Sequence, residues 1–553
     1  MTDMKNETST YPTSGREPGS QRKRRMKRAK RKLRIMQITI VLLMIIIAVL
    51  SGILIYHLFR KNAFLSGSSA GTGGNVPVTA QTDTSSMNPS GTDTSQADVL
   101  PPETSSAGEQ AGSLIQTPET EHSAAPETDQ PAPSQTAAGS DSQAEMDQAA
   151  ILAAGYDYDG AIDLLKAVPG YENSTDIMSL ISSYEQQRDA CVAADVNTVP
   201  HIFYHSLVNE PDIAFNADIL GKSAADGMNA WMTTVDEFDK ITQQLYDNGY
   251  VYVRLRDLVT ETVNADGSVS FAPNTHLMLP PGKKPIVLSV DDLSYYHSYE
   301  AASFPDKLVL DEYGQVKCHY IRPDGTESVG DYDVVPRLNT FLAEHPDGAY
   351  HGARGLIALT GYNGVFGYRT DIDYEVKQNL VSDQAAWLEK HPEFSRDEDI
   401  ASATVIADAL KSEGWEFASH TWGHLSVTSH SVDTLREDNE KWIRNVQNIV
   451  GPTDTIIFAH GNDIGDWTGY SSDNEKYAYY SSAGYHFFCN VDGSQPYWVQ
   501  ITGDYVRQGR IDLDGYMLYQ ASIGATTTTD HLIRASEIFD SRRPTPVIAN
   551  GES

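Results

Sequence analysis

One stretch limits what this chain can become more than any other: Pro285-Ile-Val-Leu-Ser-Val-Asp-Asp-Leu-Ser294. Ile286 to Val290 are apolar apart from Ser289, and mostly β-branched. That pattern reads as a strand buried on both faces, the kind found in parallel sheets covered by helices. The strand runs out onto two adjacent carboxylates, Asp291 and Asp292. In an α/β barrel, residues at the C-terminal ends of strands line the reaction site. Two carboxylates placed there repel each other unless a cation or a proton lies between them. Taken alone, the pair reads more readily as two solvated turn aspartates.

A second stretch changes the balance. Gly414-Trp-Glu-Phe-Ala-Ser-His-Thr-Trp-Gly-His424 is again a short strand entering a loop, and it delivers His420 and His424. Imidazoles four residues apart can reach one ion from a helix face or a tight loop. Gly423 favours the loop. The helical metalloprotease pattern needs Glu directly after the first His, and Thr421 stands there. Two histidines with one carboxylate leave positions on a metal open to water and substrate. A His pair and an Asp pair, each at a strand end, form a joint signal that neither gives alone.

At these residues the chain resembles the NodB-homology polysaccharide deacetylases (carbohydrate esterase family 4). Asp291-Asp292 is similar to the family's first motif, and His420-Thr-Trp-Gly-His424 to its His-Ser/Thr-x-x-His box. The resemblance spans roughly residues 199 to 517. It implies an irregular (β/α)7-type TIM-like barrel of the α/β class. It implies Asp292, His420 and His424 as ligands of a divalent metal ion, zinc foremost. It implies Asp291 as the base that activates metal-bound water, and an acetylated polysaccharide as substrate. The chain also departs from the family pattern. Val290 and Leu293 flank the Asp pair, where Phe and Gly are usual. The third motif's Arg and Pro are missing after Thr455-Ile-Ile-Phe-Ala-His460, and the terminal Leu-x-His is not recognisable.

Other strand ends add candidates. Thr198 to Leu207 reads as the first barrel strand and ends on Tyr204 and His205, which either faces the site or packs structurally. Tyr250 to Val253 reads as the next strand. Gly355 to Gly361 is a buried strand followed by the aromatic, Gly-rich loop Tyr362 to Arg369. That loop reads as a sugar-binding face, with Arg369 meeting an anionic or carbonyl group, or as a lid. His460 replaces the third motif's aromatic, and a backbone N–H beside it could steady an oxyanion. Leu308 to Lys317 reads as a hairpin turning at Tyr313-Gly314.

The remaining chain divides by composition. Residues 1–61 hold 14 Lys/Arg and 3 Asp/Glu, whereas the rest holds 27 Lys/Arg against 72 Asp/Glu. So acidic a body disfavours nucleic acid as a partner. Arg22 to Arg34 is a dense basic run, which makes 1–34 a cytoplasmic tail. It abuts Ile35 to Phe59, free of formally charged residues. As a helix this span is about 37 Å long, enough to cross a bilayer. The basic flank keeps the N-terminus inside and sends the body out. That makes the protein a single-pass plasma-membrane protein, the alternative being a cleaved signal peptide with Ser69-Ala70 mimicking a cleavage site. Residues 60–145 are rich in Ser, Thr, Gly, Ala, Pro and Gln and read as a disordered tether of about 50 Å root-mean-square span. Residues 146–197 read as three helices resembling one tetratricopeptide unit, too few for a solenoid. This segment packs on the barrel or binds a peptide. The barrel takes 198–517, and 518–553 is a C-terminal extension.

Cys191, Cys318 and Cys489 are too far apart for a zinc motif. Outside the cell, one pair could join, or none. No phosphate-binding Gly loop or nucleophile-elbow serine is present. The expected protein is therefore a monomeric, membrane-anchored metallohydrolase removing acetyl groups from N-acetylated cell-envelope polysaccharide. Its rivals are an inactive carbohydrate-binding relative, an O-acetyl esterase on the same site, and a non-haem iron oxygenase, since two histidines and a carboxylate also suit Fe(II).

Overall fold

The computed structural model describes residues 141–549, apart from residues 301 and 323. The basic tail 1–34, the apolar span 35–59 and the tether up to residue 140 lie outside the described residues. No helix among the described residues is long and apolar enough to cross a membrane.

Seven parallel strands close into a barrel, as the sequence leads one to expect. They are β1 (His201–Tyr204), β2 (Lys284–Asp291), β3 (Leu356–Leu359), β4 (Glu416–Ser419), β5 (Thr455–Ile457), β6 (Phe487–Val491) and β7 (Val506–Asp512). Neighbours pair in that order, and β7 returns to β1 through Ile511 opposite Ile202 and Asp512 opposite Phe203. β1 meets β2 from His201 opposite Val287 to Tyr204 opposite Val290. The strands are buried on both faces, as β2 illustrates: every residue from Ile286 to Asp291 is buried. That explains their near-continuous apolar runs.

Tyr250–Tyr252 does form a strand, but it is not a full stave. Its ladder is with the start of β2, Tyr250 opposite Lys284 and Tyr252 opposite Ile286, and a single bridge joins Tyr252 to Ala349. β3 takes the same edge further along, Leu356 opposite Ser289 and Ala358 opposite Asp291. The even-numbered amides of β2 face this shared edge: Lys284 N–H donates to Gly249 O, and Asp292 N–H to Ala358 O. One edge shared by two short strands is why the ring has seven staves, not eight.

Helices between the staves are cut to length by their caps. α1 (Asp141–Ala154), α2 (Tyr158–Lys166) and α3 (Thr175–Ala190) form the segment before the barrel, with α1 starting inside the stretch read as tether. Their buried residues, Ala149, Ile162, Leu165 and Ile181 among them, pack with Val251 and Leu279 of the barrel region. α4 (Val235–Asp247) opens on a capping box, in which Thr234 and Glu237 satisfy each other's backbone amides. α5 (Arg396–Glu413) is capped by Ser395, with Asp397, Glu398 and Asp399 at its positive end. It stops at Gly414 in a left-handed turn (φ 102°), where a Cβ would fall 2.2 Å from Gly352 O. The chain thereby turns straight into β4. α6 (Val432–Trp442) follows the histidine loop.

Two insertions rise from the C-terminal ends of β2 and β3. After β2 comes an antiparallel sheet of Lys307–Leu310, Val316–Ile321 and Glu327–Gly330. After β3 comes the helix Ser382–Lys390. The three cysteines are free and buried.

Beyond residue 517 the chain turns back onto α4. Arg543 clasps the fully buried Glu237 through one edge of its guanidinium, Nε to Oε1 at 2.8 Å and Nη2 to Oε2 at 2.6 Å. It also donates to the carbonyls of Asn229 (2.7 Å) and Met232 (2.6 Å). Arg543→Ala would strand a carboxylate in the interior, a loss of about 3–5 kcal/mol. The paired change Glu237→Gln/Arg543→Met should recover much of it, because no lone charge remains buried. Urea unfolding of the three chains checks this; an Arg543→Ala variant as stable as wild type would show the clasp to be dispensable.

Candidate functional site

The aspartate and histidine stretches meet at the C-terminal mouth of the barrel. Asp292 is the first residue past β2, and His420 the first past β4. Asp292, Thr421, His424 and His460 all adopt left-handed backbone, with φ of 61°, 60°, 52° and 60°. For side chains other than glycine this costs on the order of 1–3 kcal/mol each and persists only where surroundings enforce it. The enforcement at the histidine loop is visible. Asp438 of α6 accepts the N–H groups of Trp422 (2.7 Å) and Gly423 (2.8 Å), and Thr421 Oγ1 accepts Leu425 N–H at 2.7 Å. His424 is thereby held over the barrel mouth.

Asp292, His420 and His424 offer ligand atoms that all lie within 4.8 Å of one another. His424 Nε2 is 3.6 Å from Asp292 Oδ2, and His420 Nε2 is 3.9 Å from Asp292 Oδ1. His420 Nδ1 lies 2.8 Å from Ile457 O. A carbonyl only accepts, so Nδ1 carries the proton and the Nε2 lone pair faces the cluster. Burial lowers the His420 pKa, against the pull of Asp291 and Asp292, which favours the neutral, ligand-competent ring. Asp292 is buried, which alone would raise its pKa, but His424, His420, His205 and the Tyr296 hydroxyl together hold it down. Tyr296 O–H donates to Oδ1 at 2.5 Å, and Thr360 supports the same hydroxyl at 2.6 Å. No Lys or Arg among the described residues pairs with Asp292. A buried carboxylate facing two imidazoles is a donor set that suits a divalent cation.

Asp291 has a different partner. Arg510 of β7 grips it bidentately, Nη1 to Oδ1 at 2.8 Å and Nη2 to Oδ2 at 3.0 Å. Burial would raise the Asp291 pKa, but Arg510, and after it His420, bring it down to about 2. Asp291 is therefore ionised at any physiological pH. Its Oδ2 stands 3.9 Å from His420 Nε2. Arg510 is held in turn by Ser289 Oγ (3.1 Å) and lies over the Phe203 ring at 4.0 Å. Below it, His201 bridges Ser289 and Gln508, each at 3.0 Å. The family pattern places an arginine after β5; here the arginine comes from the last stave. A signal existed: Arg507 and Arg510 stand in a strand buried on both faces, where an arginine needs an acid.

These groups open into a cavity of about 520 Å3. His205 and His460 line it together with the cluster, so both stand at the mouth. His460 Nε2 donates to His424 O at 3.0 Å, which leaves its Nδ1 lone pair free. Burial first, then His424, lower its pKa. Trp231, Met232, Phe203 and Val491 supply an apolar wall. Asp512, a residue the sequence reading did not single out, also faces this space. Burial and the neighbouring Asp514, to which its side chain is hydrogen-bonded, push its pKa well above the usual carboxylate range, which favours the protonated form. Its Oδ1 has no hydrogen-bond partner among the described residues. Arg369 is not brought here. Its Nη1 is spent on carbonyls, 2.9 Å from Tyr295 O and 3.3 Å from Asn363 O, and it lines a separate cavity.

No protein-family model matches the sequence. No curated protein matches it either. Among solved structures the chain is similar to the Streptococcus pyogenes deacetylase PplD in complex with acetate, at 14% identity and a TM-score of 0.28, over 58% of this chain and 93% of that one. It is also similar to a protein from Mycobacterium smegmatis assigned as a polysaccharide deacetylase, at 17% identity and a TM-score of 0.18, over 34% of this chain and 46% of that one.

Proposed function

We propose that this protein is a metal-dependent hydrolase that removes acetyl groups from N-acetylated cell-envelope polysaccharide. In this reading it is a monomer, held in the plasma membrane by residues 35–59 with its barrel outside. One observation carries the chemistry: the Asp292, His420 and His424 cluster stands beside an ionised Asp291 in a cavity with an apolar wall. A divalent ion, zinc by its nitrogen-rich donors, would supply Lewis acidity and make water nucleophilic near neutral pH. Asp292, His420 and His424 would hold it. Asp291 accepts the proton of the attacking water at Oδ2. The Arg510 grip keeps this carboxylate charged and aimed, at a cost in basicity. Asp512 donates its proton to the departing nitrogen. Trp231, Met232 and Phe203 shield the acetyl methyl from water, and a backbone N–H beside His460 would steady the carbonyl oxygen.

A protonated carboxyl favours amide over ester as the bond cleaved, because an amine leaves only after gaining a proton. One observation favours the rival of sugar binding without turnover. Both Asp291 oxygens are engaged by Arg510, and a base of so low a pKa is a weak one.

Acetate release from matched N-acetylated and O-acetylated glycans, with metal content measured on the same preparations, tests the reading. Metal-dependent release from the amides supports it. A metal-loaded chain that releases nothing from any glycan favours the binding protein instead. Asp512→Asn gives a finer test. Its metal content should match wild type, while turnover falls by about 10²–10⁴-fold. The protonated form is the active one, so wild-type turnover should fall as pH rises through the Asp512 pKa. The Asn variant should lack that alkaline limb; a wild-type limb in the variant would remove Asp512 from the reaction.

A further inference from the structure

We propose that a second cavity, of about 560 Å3 and built from the two insertions, binds a sugar unit bearing a negative charge. The proposal goes beyond the metal site and stands whether or not that site turns over. The cavity is walled by Tyr368 and Arg369, by Lys307 and Arg322 of the inserted sheet and its turn, and by Trp387 and Lys390 of the helix Ser382–Lys390.

Charge is the first argument. Beyond the N-terminal 61 residues this chain carries far more acid than base, 72 residues to 27, so basic heads gathered in one cavity are not its background. The acids in the wall are already engaged. His297 bonds Glu300 at 2.6 Å, His319 bonds Asp306 at 2.6 Å, and the Arg369 N–H bonds Asp399 at 2.6 Å. The bases are not. Lys307, Arg322 and Lys390 have no carboxylate within ion-pair distance among the described residues. Arg369 is buried and pinned by the carbonyls of Tyr295 and Asn363, and its Nε has no partner. A guanidinium fixed in this way loses little freedom on meeting an anion.

Shape is the second. Trp387 is half-buried and lies flat on His391, with ring centroids 4.0 Å apart and planes 16° from parallel. Such a rigid ring suits the apolar face of a pyranose. Lys307 Nζ stands 6.0 Å above the Tyr368 ring. An aromatic platform beside Lys307, Arg322 and Lys390, with the Arg369 guanidinium 5.8 Å over the Trp387 ring, fits a sugar carrying a carboxylate or a phosphate better than a neutral sugar or a bare anion. Tyr296 ties the two cavities together: it lines this one, and its hydroxyl donates to Asp292.

Isothermal titration of the full-length chain with glucuronic acid, glucose 6-phosphate, glucose and inorganic phosphate tests this. One or both acidic sugars should bind, about tenfold or more tighter than glucose. The tighter of the two identifies the anion as carboxylate or phosphate. Lys307→Gln/Lys390→Gln should weaken the acidic sugars about tenfold, and Trp387→Ala should weaken them while leaving the metal content of the first site unchanged. Glucose binding as tightly as the acidic sugars would overturn the proposal. So would phosphate binding as tightly as glucose 6-phosphate, acidic sugars bound unchanged by both variants, or no binding of any probe.

Discussion

His420→Ala should hold no metal and release no acetate above background. Of the three proposed ligands, this ring is the most completely fixed. It leaves the end of β4, gives its Nδ1 proton to Ile457 O and presents Nε2 to both carboxylates. Alanine removes the lone pair and leaves two buried carboxylates facing fewer dipoles. Ile457 O also loses its donor, which costs about 1–3 kcal/mol of stability. A folded variant is therefore confirmed by its near-ultraviolet circular dichroism before metal is counted. Asp292→Asn should behave alike, because the amide keeps the shape and removes the charge that attracts the cation. His424→Ala, at the more open edge of the cluster, should also lose metal. A His420→Ala chain retaining one ion at wild-type stoichiometry would mean that the ion sits elsewhere.

Asp291→Asn should retain the metal and lose about 10²–10⁴-fold in turnover, as expected for removal of a general base. The same change reaches further than the reaction. It leaves Arg510 buried without its counter-charge, and breaking such a pair typically costs about 3–5 kcal/mol. Loss of turnover and loss of stability would then arrive together and be confused. Asp291→Asn/Arg510→Met separates them. It removes both charges, should regain most of the stability and should still fail to turn over. If the double variant regains turnover with its stability, Asp291 is structural, and the sugar-binding reading takes over.

Acid should also bring the Asp291 pair down. Its folded pKa, about 2, lies below the ordinary value of 3.8, so its stabilisation is complete above the ordinary value. As pH falls from about 4 through about 2, that contribution should disappear. Arg510→Met should flatten this part of the acid-unfolding curve.

The parts legible in the sequence share one property: each is local. A stave announces itself as a short apolar run, and the residue that follows it lies at the barrel mouth whatever its neighbours are. That is why Asp291, Asp292, His420 and His424 could be found without coordinates. Arg510 and Asp512 could not be paired with them, because the partners lie on β2 and β7, 219 residues apart. The β2–β7 approach exists only once the ring has closed through β1. Arg369 looked like a site residue because its loop follows a stave. Its direction is decided by the carbonyls of Ser294, Tyr295 and Asn363, which no spacing reveals. The part played by Tyr250–Tyr252 shows the same limit. Tyr250–Tyr252 has the composition of a barrel strand, but β3 competes for its edge of β2, and that contest is settled in three dimensions.

The clasp between Glu237 and Arg543 sets a timetable for biosynthesis. The two residues are 306 positions apart. At roughly 5–20 residues per second, Glu237 emerges about 15–60 s before its counter-charge is made. β1 waits almost as long for β7, with an unpaired strand edge open to other chains. Throughout that interval the nascent chain is an unclosed sheet with an acid destined for its interior. The stretch of the lifetime most exposed to aggregation and proteolysis therefore falls during synthesis, and ends when the last few dozen residues arrive.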